Sequence, residues 1–150
     1  MNVTRIDDAR AILNSFLRHD RHYLASSTIY GDKGPKALNR AIKLFLNHPE
    51  LGFVWLAYEK KRPIGVCVVC YAISTSIGGL VAKLDDVFVT QDKRGHGVAT
   101  NMLSELASKL KRRSILRIDT AVYKGNRRAE KYYQHLGFKS LCEERLSLVL

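Results

Sequence analysis

Chemically capable residues are concentrated in one stretch, Leu84–Thr100, which reads LDDVFVTQDKRGHGVAT. Asp85 and Asp86 offer carboxylates for moving a proton or holding a cation. Arg94-Gly95-His96-Gly97-Val98-Ala99-Thr100 offers the opposite, a grip for an anion. A helix start leaves backbone N–H groups without internal partners and carries about half a positive charge, and glycines let a ligand approach the backbone closely. A phosphate-bearing ligand is therefore expected beside a pair of acids. Adjacent residues of a regular strand point to opposite faces, so one of the two acids is expected to reach the substrate side, and parity does not choose which.

These groups must be positioned by a strand ahead of the loop and a helix behind it. Val98, Met102, Leu103, Leu106 and Leu110 form a helical stripe, and Ile115–Val122 returns to a strand pattern, which makes a βαβ unit and a parallel pair. Upstream, Phe53–Tyr58 and Ile64–Tyr71 read as strands joined by a turn at Lys60-Lys61-Arg62-Pro63, and Gly78-Gly79 opens a third strand ending near Val89. Short connections predict an antiparallel meander.

The N-terminal part predicts a short strand over Asn2–Ile6 and a helix capped by Asp7-Asp8, with Ala11, Ile12 and Phe16 at near-helical spacing. It ends near Asp20. After a break at Gly31-Asp32-Lys33-Gly34-Pro35, a second helix carries Ala37, Ala41, Leu44 and Phe45 and stops before Pro49. Asn126 begins the last helix with Ala129, Tyr132, Tyr133 and Leu136 on one face, Gly137 closes it, and Glu144–Leu150 supplies a final strand. The expected fold is α/β with a mixed sheet, an antiparallel meander followed by a parallel βαβ unit, in a single domain over residues 1–150.

Composition narrows the function classes. The chain has 150 residues, 46% of them hydrophobic, enough for one core. No apolar run approaches the roughly 18–20 residues of a membrane span, and Met1–Asp20 carries charges throughout, so a soluble, cytoplasmic protein is expected. Cys67, Cys70 and Cys142 make no disulfide framework. Cys67 and Cys70 have metal-site spacing, but residues three apart in a strand face opposite sides. His19, His22, His48, His96 and His135 are scattered, and no metal site is expected. The net charge of +11, much of it after Lys93, reads as a solvated basic face, with nucleic-acid binding disfavoured for want of base-reading groups. A dinucleotide site is the nearest rival: Gly95 and Gly97 open a helix after a strand, and Asp119 lies 22 residues beyond Gly97. It fails because Thr100 holds the third glycine position and two acids interrupt a strand that a doubly wound parallel sheet would bury.

Arg94, Gly97 and Ala99 resemble the [QR]-x-x-G-x-[GA] motif of the GNAT superfamily of N-acetyltransferases. Asn126, Ala129, Tyr132-Tyr133 and Gly137-Phe138 are similar to the family's second signature. The resemblance covers about Leu84–Phe138 and implies acetyl-CoA as acyl donor. By that resemblance, backbone amides from Arg94 through Gly95, His96, Gly97, Val98 and Ala99 to Thr100 bind the pyrophosphate, and Val87, Phe88 and Val89 pair with the pantetheine arm. Lys93, Lys124, Arg127 and Arg128 could meet the remaining phosphate. Tyr133 matches the tyrosine that protonates the leaving thiolate, Tyr132 a packing aromatic, and Asn126 either caps its helix or binds the cofactor. Spermidine/spermine-type members carry an acid pair in a similar strand, which implies substrate contact near Asp85 or Asp86. The implied reaction is direct transfer to an amine in a ternary complex, without metal. The acceptor, a small-molecule or protein amine, stays open, as does a homodimer. A basic nucleic-acid or protein-binding module without turnover is the other alternative.

Overall fold

The first helix, α1 (Val3–His19), is organised by Ala9, Ile12, Leu13 and Phe16, buried at i, i+3, i+4 and i+7 spacing. The computed structural model describes residues 3–150 apart from 28, 30 and 32, with backbone alone at 3, 4 and 26. Asn2 and Asp32, within the expected first strand and the expected break, lie outside the described residues. Val3–Ile6 is the first turn of α1, not a strand. Asp7 and Asp8 therefore do not cap the helix. Asp7 pairs with Arg10 one turn on, and Asp8 accepts a hydrogen bond from the Tyr58 hydroxyl at 2.8 Å. Asp20 ends α1 by capping a further helix, α2 (Arg21–Ser26), its Oδ1 accepting from the N–H groups of His22 at 3.0 Å and Tyr23 at 2.9 Å. Six residues are too few for a periodic signal, which is why the sequence pattern does not reveal α2. Pro35 sits in the first turn of α3 (Pro35–Asn47), and the chain leaves the helix at His48, before Pro49.

Strands β1 (Gly52–Glu59), β2 (Arg62–Ser74) and β3 (Gly79–Val89) form the expected antiparallel meander. α4 (Val98–Arg112) then crosses to β4 (Arg117–Thr120), parallel to β3, and α5 (Arg127–His135) follows. The sheet order is β1-β2-β3-β4. At the start of β1 only glycine fits: a Cβ at Gly52 would lie 2.0 Å from the Val69 carbonyl oxygen. One face of the sheet packs Val66, Val68 and Phe88 against Ile12, Leu13 and Phe16 of α1. The other packs Cys67, Val69, Ala82 and Leu84 against Met102, Leu103, Leu106 and Leu110 of α4 and Tyr133 of α5. Cys67 belongs to the second core and Cys70 packs against the first, on opposite faces as alternation requires, and both thiols are free.

Two departures from the sequence pattern affect the chemistry. Val69 pairs with Leu84 and Cys67 with Val87, so Asp85 and Asp86 together stand opposite the single residue Val68. This is a β-bulge. Leu84 and Val87, three apart, both pack in the α4 core, so alternation is reset across the acids and the opposite-face expectation for them does not hold. The second departure is the C-terminus. Glu144–Leu150 forms no strand, and the chain after α5 is irregular. Alternation alone does not make a strand without a neighbouring edge in register. Arg145 instead lies 3.8 Å from Asp85, while Leu146 and Leu148 are 88% and 84% exposed.

Candidate active site

β3 and β4 run together only where Val81–Leu84 pair with Arg117–Thr120. β3 continues to Val89, and along Asp85–Val89 its side away from β2 carries no strand among the described residues. A cleft of about 680 Å³ opens at this divergence, between the end of β3, the start of α4 and the inner face of α5. It brings together Val87, Phe88, Val89, Arg94, Gly95, Gly97, Val98, Ala99, Thr100, Asn126 and Tyr133 of the sequence-derived set. His96, Asp85 and Asp86 do not line it. His96 is exposed, its Nδ1 2.9 Å from the Arg94 carbonyl oxygen.

The loop between β3 and α4 is built to hold a helix end open. A turn of 3-10 helix over Gln91–Lys93 redirects the chain. Arg94 Nε donates to the Val89 carbonyl at 3.0 Å, and the guanidinium lies 5.4 Å from the centroid of the Phe88 ring, tying the loop to the strand end. Gly97, at φ 75°, is the N-cap residue, and this left-handed geometry is open to glycine at little cost. Among the described residues, no side chain caps the helix there. The N–H groups of Val98, Ala99 and Thr100 precede the first helical bond, from Asn101 N–H to the Gly97 carbonyl at 2.9 Å. Free amides, a helix dipole and the cations Arg21, Lys93, Arg94 and Arg128 around the cleft form a donor set suited to a diphosphate. Lys93 is also held by Glu59, at 2.7 Å. Lys124 and Arg127 do not line the cleft.

On the α5 wall, Asn126 Oδ1 accepts the Ala129 N–H at 3.2 Å, so Asn126 caps α5 while lining the cleft. Tyr133 is buried, with Tyr132 and Phe138 packed edge-on at ring distances of 5.3 Å each. Burial, only partly opposed by a hydrogen bond with Thr120, pushes the Tyr133 hydroxyl up to about 12. It therefore carries its proton at neutral pH. Tyr132 packs as expected and also lines the cleft, its hydroxyl buried with Thr100 as its polar neighbour.

Asp86, in the bulge, is partly buried. Its carboxyl is pushed up to about 7 by desolvation first, then by the Asp85 charge and more weakly by Asp20, while Arg145 pulls the other way. A carboxylate poised there can take a proton near neutral pH, whereas Asp85 is exposed. Sequence reasoning missed the wall opposite α4, formed by His19, Asp20, Arg21 and His22 at the α1–α2 junction. The His22 ring stacks on Tyr123 at 6.0 Å, joining this corner to the β4–α5 connection. The signal available was Asp20, an N-cap type ahead of an unrecognised short helix.

The rival readings lose their anchors. Asp119, the acid a dinucleotide site would use, is bound by Arg117 through contacts of 2.7 and 3.0 Å, and the sheet is not doubly wound. Among the described residues, no group of three or more His, Cys, Asp or Glu side chains is placed to hold a metal ion, and no helix is long and apolar enough to cross a membrane.

A strand splayed from its parallel neighbour beside an uncapped helix start leaves a place for an extended, amide-bearing ligand with a diphosphate end. Residues 14–138 match the Acetyltransferase (GNAT) family, and the chain belongs to it. It is an acyl-CoA-dependent N-acetyltransferase, with acetyl-CoA as its acyl donor. Solved structures agree in fold. An integron cassette protein from the mobile metagenome of Cole Harbour Salt Marsh is 26% identical over 77% of this chain and 71% of its own, with a TM-score of 0.68. A probable acetyltransferase aligns over 100% of this chain and 95% of its own at 18% identity and a TM-score of 0.76. A predicted acetyltransferase from Clostridium acetobutylicum, solved with acetyl-CoA, covers 96% of this chain and 91% of its own at 24% identity and a TM-score of 0.65. No curated protein is significantly similar in sequence.

Proposed function

We propose that the chain, acting as one unit over residues 1–150, transfers the acetyl group of acetyl-CoA directly to a primary amine in a ternary complex. The observation that carries this reading is the meeting, in one cleft, of the unpaired edge of β3 with the uncapped start of α4 and the protonated Tyr133. The Val87–Val89 backbone can hold an amide-bearing arm as an added strand would be held, and the amides at Val98–Thr100 can hold its diphosphate.

The chemistry then assigns work to three groups. A free amine attacks the thioester carbon and must lose a proton. Asp86 is the acceptor for that proton, through water, because it stands outside the cleft lining while its carboxyl is poised near neutrality. Backbone N–H groups at the end of β3 stabilise the oxyanion. Tyr133 gives its proton to the departing sulfur as the C–S bond breaks and is reprotonated from solvent. The products are the N-acetyl amine and free CoA. Asp85, Asp86 and Asp20 favour a cationic amine over an acidic one, carried by a small molecule or by a protein.

The test is acetyl-CoA binding by calorimetry followed by CoA release across a panel of amines. Tyr133→Phe should lower kcat by about 10²–10⁴-fold, the usual contribution of a positioned acid, with acetyl-CoA affinity nearly unchanged. An unchanged kcat removes Tyr133 from the proton path, and absence of acetyl-CoA binding removes the whole reading.

A further inference from the structure

The segment after α5, residues 139–150, makes two contacts that tie it to the acid side of the site. Arg145 Nη1 lies 3.8 Å from Asp85 Oδ1, both side chains more than half exposed. Further along, Val149 packs against the α2–α3 connection so closely that a Cβ at Gly31 would lie 3.1 Å from its Cγ1. The stretch from Arg145 to Val149 reaches at most about 14 Å when extended. The segment is therefore a short strap between the bulge of β3 and the loop that leaves α2, the helix whose start walls the cleft opposite α4. Little else holds it. Among the described residues, no backbone-to-backbone hydrogen bond joins residues 139–150 to another element, and Leu146 and Leu148 are exposed.

Arg145 stands where the proposed reaction has use for a different cation. The attacking amine must be uncharged, so an acceptor drawn by Asp85 and Asp86 carries its charge on another group. Among the described residues, Arg145 is the cation within ion-pair distance of Asp85. Asp86, whose carboxyl is pushed up by burial and then by the Asp85 charge, is pulled the other way by Arg145. One guanidinium thus acts on both acids of the bulge, and it is the single Lys or Arg among residues 140–150. An exposed ion pair gains little over water and exchanges partners readily. We infer, on the amine reading above, that the segment is a built-in stand-in for the acceptor: Arg145 holds Asp85 until a cationic group of the incoming amine replaces it, and the strap is then released from the acid side of the site. Acceptor binding and strap release are one exchange, and the chain limits access to its own acceptor site.

The probe is 1,4-diaminobutane, which offers one amine to the thioester side and a second charge to Asp85, with CoA saturating so that the donor site is filled without turnover. Cys142 is exposed and takes a thiol-reactive dye, whereas Cys67 is buried and burial pushes the Cys70 thiol up, which slows its labelling. Diamine binding should lower the anisotropy of the dye as the strap is released. Neither 1,4-butanediol nor sodium chloride at matched ionic strength should do so. A site open about a tenth to a third of the time binds about three- to tenfold more weakly than one always open, so Arg145→Ala should tighten the diamine by that factor in calorimetry. In this variant the dye starts at low anisotropy and the diamine leaves it there. Val149→Ala keeps every charge while trimming the contact at Gly31, and should tighten the diamine by a smaller factor. Diamine binding that leaves either the anisotropy or the Arg145→Ala affinity unchanged overturns the strap while the amine reading stands. A diamine that binds neither the wild type nor Arg145→Ala overturns the amine reading and the strap with it. A fall in anisotropy produced by salt alone, the mark of an exposed ion pair and no more, also overturns the strap.

Discussion

Asp86→Asn isolates the carboxyl proposed as the proton acceptor. In the folded protein its carboxyl is raised from 3.8 to about 7, by burial first and by the neighbouring Asp85 charge second. A carboxyl raised in this way binds a proton that the unfolded chain has already released, so folded-state stability falls as pH rises through that window and levels off above about 7. Asparagine resembles the protonated acid in shape and neutrality. Below the unfolded value the two proteins should be about equally stable, and the variant should then gain about 1.4 kcal/mol per pH unit across the window. The window is about three units wide, so the ceiling is about 4 kcal/mol, or roughly 8–16 °C in melting temperature for a domain of this size. Urea unfolding of both proteins at intervals from pH 4 to 8 measures it. In parallel, kcat/KM of the wild type should lose activity on the acid side of about 7, and the variant should lose that limb along with about 10²–10⁴-fold in rate. A stability difference that stays flat with pH refutes the raised carboxyl. A limb that survives in Asp86→Asn refutes its role as proton acceptor.

Other substitutions test the surroundings. Asp85→Asn should move the acid limb to lower pH, because it removes the charge that opposes ionisation of Asp86, and Arg145→Ala should move it to higher pH; a pH–rate profile of each reads the sign. Gly97→Ala forces a side chain onto a φ of 75° and should cost about 1–2 kcal/mol, seen as a lower melting temperature together with weaker acetyl-CoA binding by calorimetry. Leu106→Ala should cost about 2–5 kcal/mol in urea unfolding, since Leu106 is 0% exposed at the centre of the α4 core. Tyr132→Phe deletes a buried hydroxyl whose polar neighbour is Thr100 and should change stability by no more than about 1 kcal/mol in urea unfolding.

The elements around the glycine loop were legible because their signals are local. The stripe of α4 and the cap of α5 at Asn126 are each complete within a few residues. The β-bulge was not legible, because a two-against-one pairing exists only in the register between β2 and β3. It changes the reading of Asp85 and Asp86 from alternatives on opposite faces to neighbours that repel each other's charge. The Asn2–Ile6 and Glu144–Leu150 readings failed for a related reason. A β-like pattern says what a segment could do beside a partner, while α1 already had a helical stripe to extend and the C-terminal leucines had no edge in register. The wall at His19–His22 was out of reach because it is assembled from residues more than sixty positions away from the loop it faces.

The early parting of β3 and β4 leaves the sheet incomplete in the middle of the molecule. An acyl donor seated along Val87–Val89 would be the piece that finishes it, so ligand saturation and local order become one equilibrium. At a hundredfold excess over Kd such a ligand adds about 2.7 kcal/mol to folding. The amide protons of that strand end, which border an open cleft without donor, should be among those whose hydrogen exchange slows most when it binds. On the proposed seating the substrate would also be a missing structural element, and the chain's stability in a cell would follow the supply of its own acyl donor.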